Sequence, residues 1–314
     1  MQPTGTVAAM QVLERAATDV GASLAWYRHG RRDPTTWITR LGRGPSSSGH
    51  FVRATWTPDG AGTIHVQWSQ GAITRVDGHG PGADWLADRV PAMTGALDAG
   101  APHLERDDHP IVAAAARDAR HRRIGASGTL YHELLPTIIE QRITAGEALR
   151  QWRCLCEQLG EDAPGPFDGL RLPPRAEILA GRPSWWFHPL GIERKRAEPL
   201  RLVATHADKF WGWAELPPTE AAGKLRLLRG VGAWTTGSVL GPALGDADAV
   251  PVGDFHIKNT IGWALAGEAR ATDERMLELL SPYAGQRGRV VSMLGRHQAP
   301  KFGPRKRVLP MARW

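Results

Sequence analysis

Leu225-Arg-Leu-Leu-Arg-Gly-Val-Gly-Ala-Trp-Thr-Thr-Gly-Ser-Val239, followed by Pro251-Val-Gly-Asp-Phe-His-Ile-Lys258, joins a glycine turn between two amphipathic runs to one carboxylate at the head of a third run. Gly230 and Gly232 permit positive φ and a close approach of backbone. A second helix beginning at about Ala233 leaves the amides of Gly232, Ala233 and Trp234 unpaired, at the positive end of a helix dipole. Such a terminus suits a phosphate. A helix, a Gly-x-Gly turn and another helix are also an ordinary chain reversal, so the hairpin alone decides nothing. Downstream, Asp254 follows Gly253 and precedes Phe255, Ile257, Ile261 and Trp263, a spacing that predicts a helix with Asp254 at its N-terminus. There the dipole favours a charged carboxylate. As a plain cap it contributes about 1 kcal/mol.

The two segments together resemble the helix-hairpin-helix DNA glycosylases that carry a Gly/Pro-rich loop and a catalytic Asp. Within that superfamily the chain looks most like the bacterial 3-methyladenine DNA glycosylase II branch, over roughly residues 106–295. The resemblance implies an enzyme of base excision repair that flips a damaged base, an alkylated purine by analogy, out of double-stranded DNA. Breaking the N-glycosidic bond leaves positive charge on the sugar, and Asp254 would stabilise that charge and direct a water to it. Relatives that also cut the backbone carry a Lys at the second position after Gly-Val-Gly. Trp234 stands there here, which implies a monofunctional enzyme that leaves an abasic site.

The same resemblance assigns further roles. Gly230, Gly232, Ala233 and Thr235 would anchor a DNA strand. Gln141 and Arg142 would enter the duplex, Arg142 occupying the position of an apolar wedge. Trp234 and Phe255 would line the base pocket. Ser238 replaces a second aromatic, and Val291 and Ser292 stand where the branch carries an indole, so the pocket becomes larger or more polar. Lys258 would contact phosphate or pair with a neighbour. The backbone carbonyls of Arg226, Leu228 and Val231 would hold a structural Na+ or K+, with no other cofactor required.

Composition fits an anionic partner without naming it: 39 Lys and Arg against 32 Asp and Glu give +7 and a pI near 9.9. Much of the excess sits in residues 296–314, where Arg296, Lys301, Arg305, Lys306, Arg307 and Arg313 occur without an acid. That basic tail could follow a phosphate backbone or be a solvated terminus. Only Cys154 and Cys156 occur, so neither a disulfide framework nor an iron–sulfur cluster with four cysteine ligands can be built. The twelve histidines show no metal-ligand spacing. No apolar run is long enough to span a membrane and the N-terminus carries no charged-then-apolar signal, so a cytoplasmic protein is expected; a monomer is expected as well.

The expected fold class is α+β: a small N-terminal antiparallel sheet with helices over 1–105, a mainly α helix-hairpin-helix domain over 106–295 whose halves flank a cleft, and the tail. Alternation predicts strands at 51–57, 63–68 and 72–76, with helices at 19–28 and 82–98 covering one face. Turn signals then divide the remainder into helices near 109–121, 129–142, 144–159, 175–180, 191–207, 219–229, 233–243, 254–266, 271–279 and 283–295. Two other functions remain open on sequence: a glycosylase for deaminated, oxidised or bulky lesions, and a non-catalytic DNA-binding protein that uses Asp254 only as a cap.

Overall fold

The computed structural model describes residues 18–295, and the basic stretch 296–314 lies outside the described residues. Asp19 caps the first helix, α1 (Val20–Ala25), its Oδ1 accepting the Ala22 amide at 3.1 Å. Four strands follow, β1 (Thr36–Leu41), β2 (Ser48–Thr57), β3 (Gly60–Ser69) and β4 (Ala72–His79), antiparallel in the order β1-β2-β3-β4. Alternation predicted the last three. β1 is a half-exposed edge strand in which Trp37, Ile38 and Leu41 break strict alternation, which hid it in the sequence. The helix α2 (Ala83–Met93) closes this unit, and Leu86, Val90 and Met93 pack with Leu24, Tyr27, Phe51, Ile64 and Trp68.

Cover on one face was expected, but β2 is buried on both. Val52 and Ala54 on the opposite face pack against Leu170 and Leu172, and Trp56 donates its indole N–H to the Pro173 carbonyl at 2.8 Å. Those partners come from the Pro- and Gly-rich segment 160–175. Its turn residues signal a loop, while its leucines do the packing.

Helices make up the rest: α3 (Pro110–Ala119), α4 (Leu130–Glu140), α5 (Ala145–Leu159), α6 (Ala176–Gly181), α7 (Arg194–Thr205), α8 (Ala207–Ala214), α9 (Pro218–Arg226), α10 (Ala233–Leu244), α11 (Ile257–Ala266), α12 (Asp273–Leu280) and α13 (Arg287–Leu294). The run expected as one helix over 191–207 starts at Arg194, and α8 follows it as a separate helix after His206. Two apolar cores form. Residues of α4 to α10 build the larger, and α3 joins α11, α12 and α13 in the smaller. The loop from Gly245 to His256 runs from one core to the other, so Asp254 sits at their seam. No described helix is long and apolar enough to cross a membrane.

Between sheet and helices lies a buried charge cluster. Arg53 of β2, 1% exposed, donates to Glu133 of α4, 2% exposed, at 2.6 Å, and also to the Tyr27 carbonyl. Ser127 adds a second donor to Glu133 at 3.0 Å. His29 approaches Glu133 at 3.9 Å and Glu140 at 3.7 Å. Burial works against charge on Glu133, but the Arg53 guanidinium and His29 hold its pKa down, from 4.5 to about 2. Burial likewise opposes a charged His29, yet Glu133 and Glu140 lift it from 6.5 to about 9. The stabilisation from Glu133 is present above pH 4.5 and is lost as pH falls towards 2. That from His29 is full below pH 6.5 and is lost as pH rises through 9. Urea unfolding of Glu133→Gln should show a loss of about 3–5 kcal/mol near pH 6 and a flatter acid limb than wild type. Equal pH dependence of the two proteins would contradict this origin.

Candidate active site

The hairpin is α9, a turn at 227–232, and α10. Gly230 adopts φ +90°, and a Cβ there would lie 2.3 Å from Cγ of Pro199 on α7, so both conformation and space demand glycine. Gly232 differs. Its φ is −97°, and a Cβ would meet nothing within 4 Å. Open space lies before that position, in front of the start of α10. Because the first bond of α10 runs from the Thr236 amide to the Gly232 carbonyl at 3.0 Å, the amides of Gly232, Ala233, Trp234 and Thr235 precede the helical ladder. Among the described residues the Arg226 and Val231 carbonyls accept no hydrogen bond, while that of Leu228 accepts the Val231 amide at 2.9 Å. Each of these three carbonyls thus keeps a lone pair.

Asp254 is fixed on both oxygens. Oδ1 accepts the amides of His256 at 2.7 Å and Ile257 at 3.0 Å, capping α11. Oδ2 accepts the indole N–H of Trp234 at 3.1 Å. The helix expected from residue 254 therefore begins three residues later, because Asp254 holds the turn that precedes it. Gly253, at φ +96°, donates its amide to Asp273 at 3.1 Å, and the same Asp273 pairs with Lys258 at 3.4 Å. Asp273 thus links Lys258 to the loop, and Lys258 pairs with a neighbour, one of its two expected roles.

Gln141, at the C-terminal end of α4, donates to the Gly230 carbonyl and to Thr235 Oγ1, each at 2.9 Å. It ties α4 to the hairpin. Arg142 next to it is exposed and adopts φ +60°, one of two described non-glycine residues with positive φ. The exposed arginine thus stands beside the hairpin in a strained turn. Ser238 turns its hydroxyl back to the Trp234 carbonyl at 2.8 Å. Phe255 is 76% exposed and meets only the edge of His256, so it stands beside the carboxylate without closing a wall.

Sequence reasoning missed the fastenings. A Cβ on Gly237 would lie 2.1 Å from the Val250 carbonyl, so this helical glycine lets the loop before Asp254 press on α10. Asp248 accepts the amides of Gly285 at 2.8 Å and Arg287 at 3.0 Å and pairs with the Arg287 side chain, tying the loop to α13. The only sequence signal was Gly245-Asp-Ala-Asp248, which marked a turn. Arg196, beside the exposed Arg194 and Lys195, is buried and donates to the carbonyls of Ile139 and Gly191, each at 3.0 Å. Trp185 is exposed, while Trp186 packs edge-on to Phe187.

No family model matches the sequence, and a search of curated proteins finds no match. Solved structures do match. A 3-methyladenine DNA glycosylase from Archaeoglobus fulgidus superposes with a TM-score of 0.72 at 18% identity, over 91% of this chain and 96% of its own. The fold is that of DNA glycosylases. MBOgg1, in complex with a low-affinity DNA ligand, gives 0.66 at 16% identity over 91% and 97% of the two chains. An 8-oxoguanine glycosylase/lyase from Clostridium acetobutylicum gives 0.60 at 14% identity over 80% and 86%. The expected α+β class, with a small sheet unit preceding the helices, holds.

The two hairpin glycines should separate on substitution. Gly230→Ala is expected to destabilise the fold by about 1–3 kcal/mol in thermal unfolding, through positive φ and the contact with Pro199. Gly232→Ala should stay within about 0.5 kcal/mol of wild type. A matched loss in both would remove the distinction.

Proposed function

We propose that the protein is a monofunctional DNA glycosylase that flips a damaged purine from duplex DNA and hydrolyses its N-glycosidic bond, leaving an abasic site. One observation carries the proposal. Asp254 projects from the seam between the two helical cores, next to the hairpin, with its orientation fixed by two amides and one indole. A group meant only to cap a helix gains little from the third bond. A group that must face a developing positive charge gains a fixed direction.

The reacting centre is the anomeric carbon of the flipped nucleotide. As the bond to the base lengthens, positive charge spreads over that carbon and the ring oxygen, and Asp254 stabilises it. The bonding electron pair leaves with the base, a water on the carboxylate side adds its oxygen to the carbon, and the proton it loses passes through Asp254 to the departed base or to solvent. The two bonds to Oδ1 keep that oxygen partly committed, which leaves Oδ2 and its indole partner nearest the chemistry. Hydrolysis, and not attack by an amine, is favoured by Trp234 at the hairpin. The nearby amine of Lys258 is held by Asp273.

The open hairpin amides, with Gly232 unobstructed in front of them, would take a phosphate of the DNA strand. The free carbonyls of Arg226 and Val231, with that of Leu228, would hold Na+ or K+ and so stiffen the same turn. Exposed Arg142, beside the hairpin, would fill the space left by the flipped base. The folds of the superposed glycosylases are consistent with this assignment.

The test is base release from methylated duplex DNA by wild type and by Asp254→Asn. The variant should keep its DNA affinity and lose at least about 100-fold in release rate. Equal release by both proteins, or none by wild type, would contradict catalysis by Asp254. Affinity should also fall steeply with added salt, through phosphate contacts.

A further inference from the structure

A cavity of about 760 Å³ lies where the sheet unit meets the helices, walled by α1, the connection 99–105, residues following α3, and α13. Trp26 forms one wall and comes within 3.6 Å of where a Cβ on Gly241 would stand. Gly241 shares a face of α10 with Ser238 and Trp234, at spacings of three and four residues. Along the helix axis it lies about 10 Å from Trp234. One end of this face is thus bonded to Asp254 through Trp234, and the other packs on Trp26, whose ring forms a wall of the cavity. Between them stands Ser238, which is small. Ser292 of α13 lines the cavity and is small as well.

Charge gives the cavity a chemical preference. Five arginines line it against one carboxylate, Glu105. Arg40 is matched by Asp19 at 2.8 Å and Arg289 by Asp98 at 2.7 Å. Arg123 is not matched in this way. Its guanidinium donates to the carbonyls of Arg120 at 2.7 Å and Arg122 at 3.1 Å, and among the described residues it pairs with no carboxylate. A purine methylated on a ring nitrogen carries positive charge, which such walls repel, and a cation would need an aromatic cage that Ser238 and Ser292 do not supply.

Resting on the glycosylase assignment, we infer that this cavity receives the exocyclic substituent of the flipped purine. The substituent is larger than methyl, and neutral or negatively charged. A volume of 760 Å³ falls in the range of about 300–1,000 Å³ that holds drug-sized ligands, and a methyl group would leave it empty. Trp26 offers a flat apolar surface, and Arg123 offers a charge-assisted donor to a carboxylate on the adduct.

The experiment uses the full chain and three duplex oligonucleotides, each with one lesion: 7-methylguanine, which is small and cationic, N6-benzyladenine, which is bulky and neutral, and O6-carboxymethylguanine, which is anionic. Wild type should release the last two faster than the first. Ala25→Trp, at an exposed position of the cavity wall, should lower release of those two by about tenfold or more and leave 7-methylguanine within about twofold. Ala22→Trp fills the same wall and gives the same readout if Ala25→Trp folds poorly. Arg123→Gln should lower release of the carboxymethylated base alone. Release of 7-methylguanine only, or an equal fall on all three substrates, would overturn the inference and leave the glycosylase assignment standing. No release of any base by wild type would overturn both.

Discussion

The buried ion pair between Arg53 and Glu133 fixes the helix on which the rest of the molecule is assembled. Every residue of α4 from Leu130 to Ile139 is buried, so this helix has no solvent face to orient it. Direction must come from polar contacts at its ends. At the first turn Glu133 meets Arg53 of the sheet and Ser127, in the position where an acid also suits the helix dipole. At the other end, about 12 Å along the axis, Gln141 reaches the hairpin and Arg196 holds the Ile139 carbonyl. The sheet unit is therefore part of the scaffold of the hairpin. Its register reaches the turn before α10 through one rigid element.

A second set of contacts fixes the carboxylate relative to that turn. Asp254 lies on a loop, which by itself would hold a charged group loosely. The loop is pressed on α10 at Gly237, tied to α13 through Asp248, and braced by Asp273 through the Gly253 amide. Each fastening comes from a different helix, and those helices belong to both apolar cores. Placement at a seam leaves the group half-buried, and the fastenings supply the precision that a seam lacks.

Much of this was legible in the sequence, because glycine and charge are informative where backbone geometry is demanding. Gly230 had to be glycine for its φ and for Pro199, and it could be found from the pattern alone. Asp254 could be found because a carboxylate after glycine and before an amphipathic run reads as a cap. The buried partners could not be found. Nothing local marks Arg53, in a strand, as the partner of Glu133, eighty residues away, or Arg196 as different from the exposed Arg194 beside it. The two-sided burial of β2 was hidden likewise, since its second cover is a loop that carries only two leucines, Leu170 and Leu172. Long-range polar pairing leaves no period in a sequence, and a loop that packs resembles one that does not.

The bond between Trp234 and Asp254 has a consequence for how specificity can vary in this fold. The indole orients the carboxylate with its nitrogen, so Trp234 cannot be altered without disturbing Asp254, the group proposed to act on the glycosidic bond. Ser238 and Gly241 lie farther along the same face of α10 and touch neither oxygen of Asp254, so they are free to change. Ser238 satisfies its hydroxyl within its own helix, on the Trp234 carbonyl, and so presents little that is polar to a ligand. The carboxylate is therefore oriented at the N-terminal turn of α10, while one and two turns later the helix only packs, where it approaches Trp26. In the proposed glycosylase a single helix would then separate the demand of catalysis from that of recognition, because its first turn is bonded to the carboxylate and its later turns are only packed.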